Sequence, residues 1–550
     1  MSSVPAAEPH LDHQSLSDRG RAVVEVFDTT LRDGLQVEGV SATVDDKLRI
    51  AEQLNHLGVH FIEGGWPGAN PKDIEFFARA SIELDLDTST LVAFGSTRRP
   101  RGKSDDDATL RNLIEANTAA VCIVAKSSEY QVVEAMKTTL DEGAAMIADS
   151  VRFLHGEGRQ VLVDLEHFFD GYKANPEFSL RAVEAAVVNG ATHLVLCDTN
   201  GGTLPHEIRD IVADLFAHVG TDATIGIHCH DDAGCAVANS MAAVEAGARH
   251  VQGTLNGLGE RTGNTNLTTV IPNLQLKQGF TCLPEGRLER LTSVSHHVAE
   301  TLNRAVNPQA PYVGSSAFAH KAGLHVSAIV RAKDAYEHID PELVGNGTRF
   351  VVSEMAGRAT IQMKADELGL TMDGAQINEL IDDLKRLEHE GYHFEAADAS
   401  LELLMRRAIG QVPDFYRIES MRVITDHGTA DQNNEFNTEA TVKLWTGESG
   451  DEPERHVSIA EGNGPVNAID TAFRSAVSAA LPQLAHIHLT DYKVRILDGA
   501  TATGATTRVL LSATNGESDW TTIGVSPNII EASWRALDDS LVYGLLHSAS

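Results

Sequence analysis

The segment Thr224-Ile225-Gly226-Ile227-His228-Cys229-His230-Asp231-Asp232 joins an apolar run to a cluster of ionisable side chains. In a strand, alternate side chains share one face, so His228 and His230 point to one side while Cys229 points to the other. Two imidazoles on one face can bind a divalent metal ion. Taken alone, the segment fits equally well a strand that ends in two solvent-exposed histidines.

Seven further runs of this kind, rich in β-branched residues and bounded by Gly, Asp, Asn or Ser, occur between Val23 and Asn266. The eight predicted strands span residues 23–28, 59–64, 90–95, 120–125, 160–165, 193–198, 224–229 and 250–255. Segments with helical periodicity separate them, including 44–57, 70–80, 182–189 and 233–247. Eight strand-helix units in about 240 residues predict a (β/α)8 TIM barrel. An open, doubly wound sheet is the weaker alternative.

After the predicted barrel the pattern becomes helical and polar, with helices expected at 288–305 and 377–390. Two series of three strands and one helix follow. They are predicted at 417–424, 440–445, 457–460 and 465–480, and at 492–497, 508–513, 520–525 and 527–546. Asp470-Thr471-Ala472-Phe473-Arg474 in the first of these helices is similar to Glu531-Ala532-Ser533-Trp534-Arg535 in the second. This similarity favours a tandem βββα repeat, although two amphipathic helices can match by chance.

We therefore expect four regions along the chain. They are a disordered tail at 1–20, the barrel at 21–277, a helical linker region at 278–411 and the tandem βββα domain at 412–550.

The composition limits the class of partner and the compartment. Among 550 residues, 78 are acidic and 44 basic, and the formal charge of -34 repels phosphate backbones and anionic membranes. Because of this charge we do not expect nucleic acid as a partner. We do not expect a membrane either, since the first twenty residues lack a signal peptide and no segment is apolar for long enough to span a bilayer. The five cysteines are scattered without metal-site or secreted-scaffold spacing, which indicates reduced thiols and a cytoplasmic protein.

Polar residues cluster where the predicted strands end, which in a TIM barrel is the catalytic face. Asp33 follows the first strand, so it could join His228 and His230 in binding Mg, Mn or Zn, and Asn264 could add a carbonyl oxygen. Arg32 could stabilise an oxyanion or bind a carboxylate. Alternatively, Arg32 and Asp33 only form ion pairs with other loops.

Other residues near the strand ends are weaker candidates. Glu166 and Thr199 lie at the ends of the fifth and sixth strands, where they could border a substrate, although ordinary loop polarity explains them nearly as well. Gly257, Gly259 and Gly263 would let the backbone approach a bound group closely. Between these glycines, Glu260 and Arg261 could be an ion pair that braces the loop.

Three separated motifs resemble those of the 2-isopropylmalate, homocitrate and citramalate synthase family. They are Asp28-Thr29-Thr30-Leu31-Arg32-Asp33-Gly34, His228-x-His230 and Gly257-x-Gly259-Glu260-Arg261-x-Gly263-Asn264. The tract from Phe61 to Asp73, Phe-Ile-Glu-Gly-Gly-Trp-Pro-Gly-Ala-Asn-Pro-Lys-Asp, is most similar to the citramalate branch. The resemblance covers nearly the whole chain.

The resemblance implies a condensation of acetyl-CoA with a 2-oxo acid, followed by hydrolysis of the thioester. For the citramalate branch the acceptor is pyruvate and the pathway is isoleucine biosynthesis. By motif match, Asp33, His228, His230 and Asn264 would hold the metal and Arg32 would stabilise the alkoxide. The family's linker motifs match His320-Lys321-Ala322-Gly323-Leu324-His325 and Tyr336-Glu337-His338-Ile339-Asp340-Pro341, so His325 and Tyr336 would assist proton transfer from acetyl-CoA.

The resemblance also implies a homodimer and feedback inhibition by an amino acid, for which we expect isoleucine. Gly462-Asn463-Gly464-Pro465 before a predicted helix could present backbone N–H groups to its carboxylate.

Three alternative functions stay open at the level of sequence. An isopropylmalate or homocitrate synthase would differ only in the 2-oxo acid accepted. A hydroxymethylglutaryl-CoA lyase shares Asp33-Gly34-Leu35-Gln36, but such lyases carry a cysteine where this chain has Glu260-Arg261, and they lack the C-terminal repeats. A non-catalytic effector-binding protein would not need to keep all the ionisable site residues.

Overall fold

The computed structural model describes residues 22–220, 222–320, 328–329, 331–332, 335–350, 358–427, 436–447, 453–497 and 504–548. These residues form two compact units. One comprises the described residues of Met1–Phe318 and Glu337–Thr348, and the other those of Ala319–Tyr336 and Arg349–Ser550. The predicted tail at 1–20 lies outside the described residues, and the boundaries predicted at 277 and 411 remain a prediction.

The first unit contains a closed, parallel eight-stranded barrel. Its strands are β1 Glu25–Asp28, β2 Phe61–Gly65, β3 Thr90–Ser96, β4 Ala120–Lys126, β5 Gln160–Glu166, β6 Ala191–Asp198, β7 Thr224–Cys229 and β8 His250–Gly253. Because β1 pairs with both β2 and β8, the sheet has no free edge. The TIM barrel is therefore confirmed, and the open doubly wound sheet is excluded.

Helices follow the strands and cover the outside of the barrel. In this unit they are α1 Val44–Leu57, α2 Pro71–Glu83, α3 Ala108–Glu115, α4 Leu140–Gly156, α5 Phe168–Ala174, α6 Pro176–Val187, α7 Pro205–Val219, α8 Ala236–Glu245, α9 Leu267–Pro272 and α10 Leu291–Thr301. α1 begins at a capping box of Thr43 and Asp46 and is capped after Leu57 by Gly58, whose φ of 90° suits a glycine.

Alternation along the strands separates two apolar regions. Val24 and Val26 belong to the core between the strands and the helices, whereas Phe27 packs inside the barrel with Phe61 and Cys122. These aromatic rings fill the middle of the barrel. Ionisable side chains gather on both sides of this aromatic layer, with Glu25 and His250 on one side and Asp33 and His228 on the other.

The second unit contains the repeat. The unit begins with short strands β9 Ala319–His320 and β10 Arg349–Phe350 and helices α11 Arg358–Glu367, α12 Gly374–His389 and α13 Asp398–Ala408. The first module of the repeat comprises strands β11 Tyr416–His427, β12 Phe436–Thr446 and β13 Glu454–Gly462 and helix α14 Pro465–Val477. The second comprises strands β14 His488–Ile496, β15 Thr507–Thr514 and β16 Asp519–Ser526 and helix α15 Ile529–Ser548. The two antiparallel sheets each have three strands in sequence order and each is followed by one helix, which confirms the tandem βββα domain.

The two modules share one core, and the similar helix segments make equivalent contacts. Phe473 of α14 packs against Trp534 of α15, with ring centroids 5.6 Å apart. Arg474 pairs with Asp470 at 2.8 Å, and Arg535 pairs with Glu531 at the same distance and spacing. The two helix segments thus occupy equivalent places in the two modules.

Within the part of the chain that the structure describes, no helix combines the length and apolarity required to cross a bilayer.

Candidate active site

The loop after β1 is held by its own polar side chains. The Asp28 carboxylate accepts hydrogen bonds from the backbone N–H and the hydroxyl of Thr30, at 2.9 and 3.0 Å. The backbone N–H of Asp33 donates to the Thr29 hydroxyl at 3.3 Å. This turn holds Arg32 and Asp33 at the carboxyl-terminal mouth of the barrel, with Asp33 only 4% exposed.

Asp33 and the two histidines meet, although nearly 200 residues separate them along the chain. Asp33 Oδ2 lies 3.2 Å from His228 Nε2, and the rings of His228 and His230 are 5.3 Å apart. One ligand atom from each of the three residues falls within 4.8 Å of the others. Both histidines are buried, so the solvent-exposed alternative is wrong, and Cys229 faces the outer core as expected.

Two acceptor atoms at this cluster have no hydrogen-bond partner among the described residues. They are His230 Nδ1 and Asn264 Oδ1, both buried. The backbones of His230 and Asn264 form an isolated bridge, and Asn264 Nδ2 donates to the Leu258 carbonyl at 3.3 Å, which leaves the side-chain oxygen free to accept. Buried, unsatisfied acceptors beside a carboxylate are what a bound cation would satisfy. The residues present therefore fit a divalent metal ion.

A second layer of residues orients His228. Its Nδ1 is 2.9 Å from Gln252 Oε1, and Gln252 Nε2 donates to Asp164 Oδ1 at 3.0 Å. Because Gln252 Oε1 accepts the Nδ1 proton, Nε2, which faces Asp33 Oδ2 at 3.2 Å, is the atom that would bind a metal in place of a proton. Gln252 is not among the residues predicted from the sequence, where its only signal is an amide in β8, two residues after His250.

The electrostatics of the cluster favour an ionised Asp33. Burial alone would raise the pKa of Asp33, but the Arg32 guanidinium and the hydrogen bond with His228 outweigh it and hold that pKa well below its usual range. Burial and the neighbouring His228 lower the pKa of His230 to about 4. Near neutral pH this site therefore offers one carboxylate and at least one neutral imidazole.

Arg32 is fixed on several sides. Its Nε donates to Glu63 Oε2 at 2.7 Å, Nη1 lies 3.3 Å from Asp33 Oδ2, and the guanidinium sits 3.9 Å above the Phe94 ring. Arg32 thus pairs with another strand end, at Glu63, as the alternative expected, but it also pairs with Asp33 and lines the cavity at the mouth. Glu63, which the sequence did not single out, also accepts a hydrogen bond from the Thr29 hydroxyl.

A cavity of about 470 Å³ opens above this cluster. Arg32, Asp33, His228 and His230 line it together with apolar side chains such as Trp66 and Phe94, and with Glu166 and Thr199. Glu166 forms an ion pair with Lys126, and the Thr199 hydroxyl accepts from the His167 backbone N–H at 2.8 Å. Both residues border the cavity as expected, and their roles remain proposals.

The glycine-rich loop after β8 is shaped around Asn264. A Cβ on Gly259 would stand 2.2 Å from Asn264 Nδ2, and one on Gly263 would stand 2.0 Å from the Gly257 carbonyl oxygen. Arg261 ties the loop to its neighbours, since it pairs with Asp232 at 2.7 Å and with Glu260 at 3.3 Å and donates to the Thr199 carbonyl at 2.9 Å. The bracing role of the Glu260–Arg261 pair is thereby supported, and close approach of the three glycines to a bound group remains a prediction.

The two linker residues are placed differently. His325 lies outside the described residues. Tyr336 belongs to the second unit and is 48% exposed there.

Comparison with known proteins identifies the family. The HMGL-like family model matches residues 23–298, the homocitrate synthase post-HMGL domain-like model 312–392 and the LeuA allosteric (dimerisation) domain model 395–545. An (R)-citramalate synthase of Streptomyces coelicolor is 52% identical over 95% of this chain and 97% of its own length, and one of Aquifex aeolicus is 49% identical over 95% and 98%. The chain belongs to the (R)-citramalate synthase family.

Family membership shows that the chain is an enzyme, a condensing transferase, and confirms the resemblance inferred from the three motifs. Among solved structures, the HMG-CoA lyase of Bacillus subtilis is 22% identical over 52% of this chain and 95% of its own, with a TM-score of 0.44.

Proposed function

We propose that this enzyme condenses acetyl-CoA with pyruvate and hydrolyses the thioester, giving (R)-citramalate and CoA. The observation that carries the proposal is the buried cluster of Asp33, His228 and His230 beside Arg32, in a chain about half identical to (R)-citramalate synthases over nearly its full length. Three of the residues that the motifs assign to the metal thus converge, with Asn264 beside them.

Each residue of the cluster has a task in this reaction. Asp33, His228 and His230, with the Asn264 carbonyl oxygen, would hold a divalent cation such as Mg, Mn or Zn. When bound, that cation acts as a Lewis acid on the keto group of pyruvate. Arg32 faces the same region of the cavity and would stabilise the negative charge that develops on the keto oxygen.

Carbon–carbon bond formation needs a base at the methyl group of acetyl-CoA. We assign proton transfer to His325, assisted by Tyr336, and a supporting catalytic role to Glu166. The methyl carbon, having lost its proton, attacks the keto carbon, and the resulting alkoxide takes up a proton. Water then adds to the thioester carbonyl, and the CoA thiol leaves.

The cavity is consistent with a small acceptor. Its volume of about 470 Å³ is near the lower end of the range of volumes found for ligand sites. On its wall, Trp66 packs edge-on against Phe94, with ring centroids 5.4 Å apart. One additional methylene changes the binding free energy by only about 1–3 kcal/mol. The acceptor must therefore be established by assay.

The decisive experiment measures thiol release from acetyl-CoA with pyruvate, 2-oxoisovalerate and 2-oxoglutarate, followed by chiral analysis of the product. We expect the highest kcat/KM with pyruvate, (R)-citramalate as product, and loss of turnover with a chelator or in Asp33→Asn. A preference for either other acceptor would indicate an isopropylmalate or homocitrate synthase. Cleavage of hydroxymethylglutaryl-CoA would indicate a lyase, and no release at all an effector-binding protein.

We further propose that the second unit mediates homodimerisation and binds isoleucine as an inhibitor in isoleucine biosynthesis. Residues 395–545 match the LeuA allosteric (dimerisation) domain, and the Gly462-Asn463-Gly464 turn leads directly into the N-terminus of α14. Backbone N–H groups at such a terminus suit a carboxylate. Isoleucine should inhibit the enzyme and raise its melting temperature more than leucine or valine does, whereas absence of both effects would count against this site.

A further inference from the structure

A second cluster of metal-ligating side chains lies at the opposite end of the barrel, where the strands begin. Glu25 is the first residue of β1, His250 the first of β8, and His193 lies near the start of β6. One ligand atom from each falls within 4.8 Å of the other two. The rings of Phe27 and Phe61 pack against this cluster and separate it from the mouth of the barrel.

The distances within the cluster suit a tetrahedral ion. His193 Nε2 lies 2.8 Å from Glu25 Oε2, and His250 Nδ1 lies 3.5 Å from the same oxygen. Zinc bonds of about 2.0–2.1 Å place tetrahedral ligand atoms about 3.3 Å apart. The two separations from Glu25 Oε2, 2.8 and 3.5 Å, lie on either side of that distance.

His250 shows why the cluster is incomplete on its own. Its side chain is fully buried, and neither ring nitrogen has a hydrogen-bond partner among the described residues. The 3.5 Å approach of its Nδ1 to Glu25 is longer than a normal hydrogen bond. A buried imidazole without partners is costly, and a cation would satisfy it.

The remaining ligands are prepared for coordination. His193 Nδ1 lies 2.9 Å from the Thr192 hydroxyl, and Nε2 donates to Glu25 Oε2 at 2.8 Å, so a cation bound here would take the place of the Nε2 proton. The Glu25 side chain is 31% exposed, so the cluster opens to solvent on one side. That opening provides an entry path for an ion and a position for a coordinating water.

We propose that Glu25, His193 and His250 form a second divalent-cation site, of the zinc type, that is separate from the catalytic cluster. Two imidazoles and one carboxylate favour zinc over magnesium or calcium. Glu25 and His250 are register partners on β1 and β8, the two strands that close the barrel. The ion would cross-link this closure to β6 and stabilise the fold without touching substrate.

The test counts zinc ions per chain after the full-length protein is stripped with chelator and dialysed against ZnCl2. We expect two ions in the parent protein, one in Glu25→Gln, one in His230→Gln and none in the double variant. The same zinc should raise the melting temperature of His230→Gln by roughly 5 °C at about 100 times Kd and leave the double variant unchanged.

Glu52→Gln, the same exchange on the exposed face of α1, is the matched control and should keep two ions. Should Glu25→Gln fold poorly, His250→Phe removes a ligand while keeping an aromatic ring among aromatic neighbours. The inference is overturned if either variant binds as many zinc ions as the parent protein, or if His230→Gln binds none. Metal content is independent of turnover, so this result stands apart from the proposed condensation.

Discussion

At the scale of single residues, Gln252 links the metal cluster to the barrel interior. It contacts His228 at 2.9 Å and Asp164 at 3.0 Å. Gln252→Met keeps the side-chain volume but removes both contacts, and changes to such outer partners typically lower metal affinity 10- to 100-fold. We expect a loss of roughly that size in a competition titration against a chromogenic chelator.

Gln275→Met makes the same exchange at a partly buried glutamine in the segment after α9, away from the cluster. It should leave metal affinity unchanged. An equal affinity in Gln252→Met and the parent protein would show that Gln252 does not orient His228.

Arg32 offers a second test at this scale, because its guanidinium makes contacts that an ammonium cannot copy. It donates to Glu63, pairs with Asp33 and stacks on Phe94. Arg32→Lys keeps the charge but loses this geometry, so we expect kcat to fall about 10²- to 10³-fold. Arg209→Lys, at an exposed surface ion pair, is the control. An Arg32→Lys variant that kept its kcat would remove Arg32 from the proposed chemistry.

Single residues also show what the sequence could and could not predict about the site. The convergence of Asp33, His228 and His230 was predictable because each lies at or shortly after the end of a barrel strand and carries a side chain that can bind a metal. Glu63 and Gln252 were not given roles, because their importance depends on side-chain contacts with Arg32 and His228 across neighbouring strands. Such contacts depend on barrel register and rotamers, which a single sequence does not reveal.

At the scale of elements, the loop after β8 positions Asn264. Gly259 has φ of 151° and no room for a Cβ, which would meet Asn264 Nδ2 at 2.2 Å. Gly259→Ala should displace Asn264 and reduce both metal affinity and turnover while the barrel stays folded, as circular dichroism would verify. Gly156→Ala in α4 meets nothing within 4 Å and should be neutral or slightly stabilising. Full activity in Gly259→Ala would contradict this role of the loop.

Element types were predictable from periodicity, whereas several boundaries depended on capping contacts. α6 begins at Pro176 rather than at residue 182, because the Asn175 side chain caps it and Pro176 suits the first turn. α8 begins at Ala236 rather than at residue 233. The backbone N–H of Ala236 donates to the Asp231 carboxylate at 2.8 Å, which fixes this start. β8 ends at Gly253 because the chain then turns, with Asn256 at φ of 61°. These local hydrogen bonds outweigh hydrophobic periodicity.

At the scale of the whole molecule, the stability of the second unit depends on pH through carboxyl groups buried in α15. The Tyr416 hydroxyl donates to Asp538 at 2.8 Å, and Arg407 pairs with the adjacent Asp539 at 2.9 Å. Burial raises the pKa of Asp538, and the charge of Asp539 raises it further. The folded unit therefore binds a proton at Asp538 more tightly than the unfolded chain does.

This difference fixes the direction of a pH dependence. Between the ordinary carboxyl pKa of about 4 and the raised pKa of folded Asp538, the folded state holds more protons, so stability falls as pH rises, by up to about 1.4 kcal/mol per pH unit. Asp538→Asn is uncharged and still accepts from Tyr416. Calorimetry should find it more stable than the parent at pH 8, with the difference shrinking towards pH 4. Asp426→Asn, on an exposed stretch of β11, should follow the parent profile, and an Asp538→Asn curve parallel to both would refute the assignment.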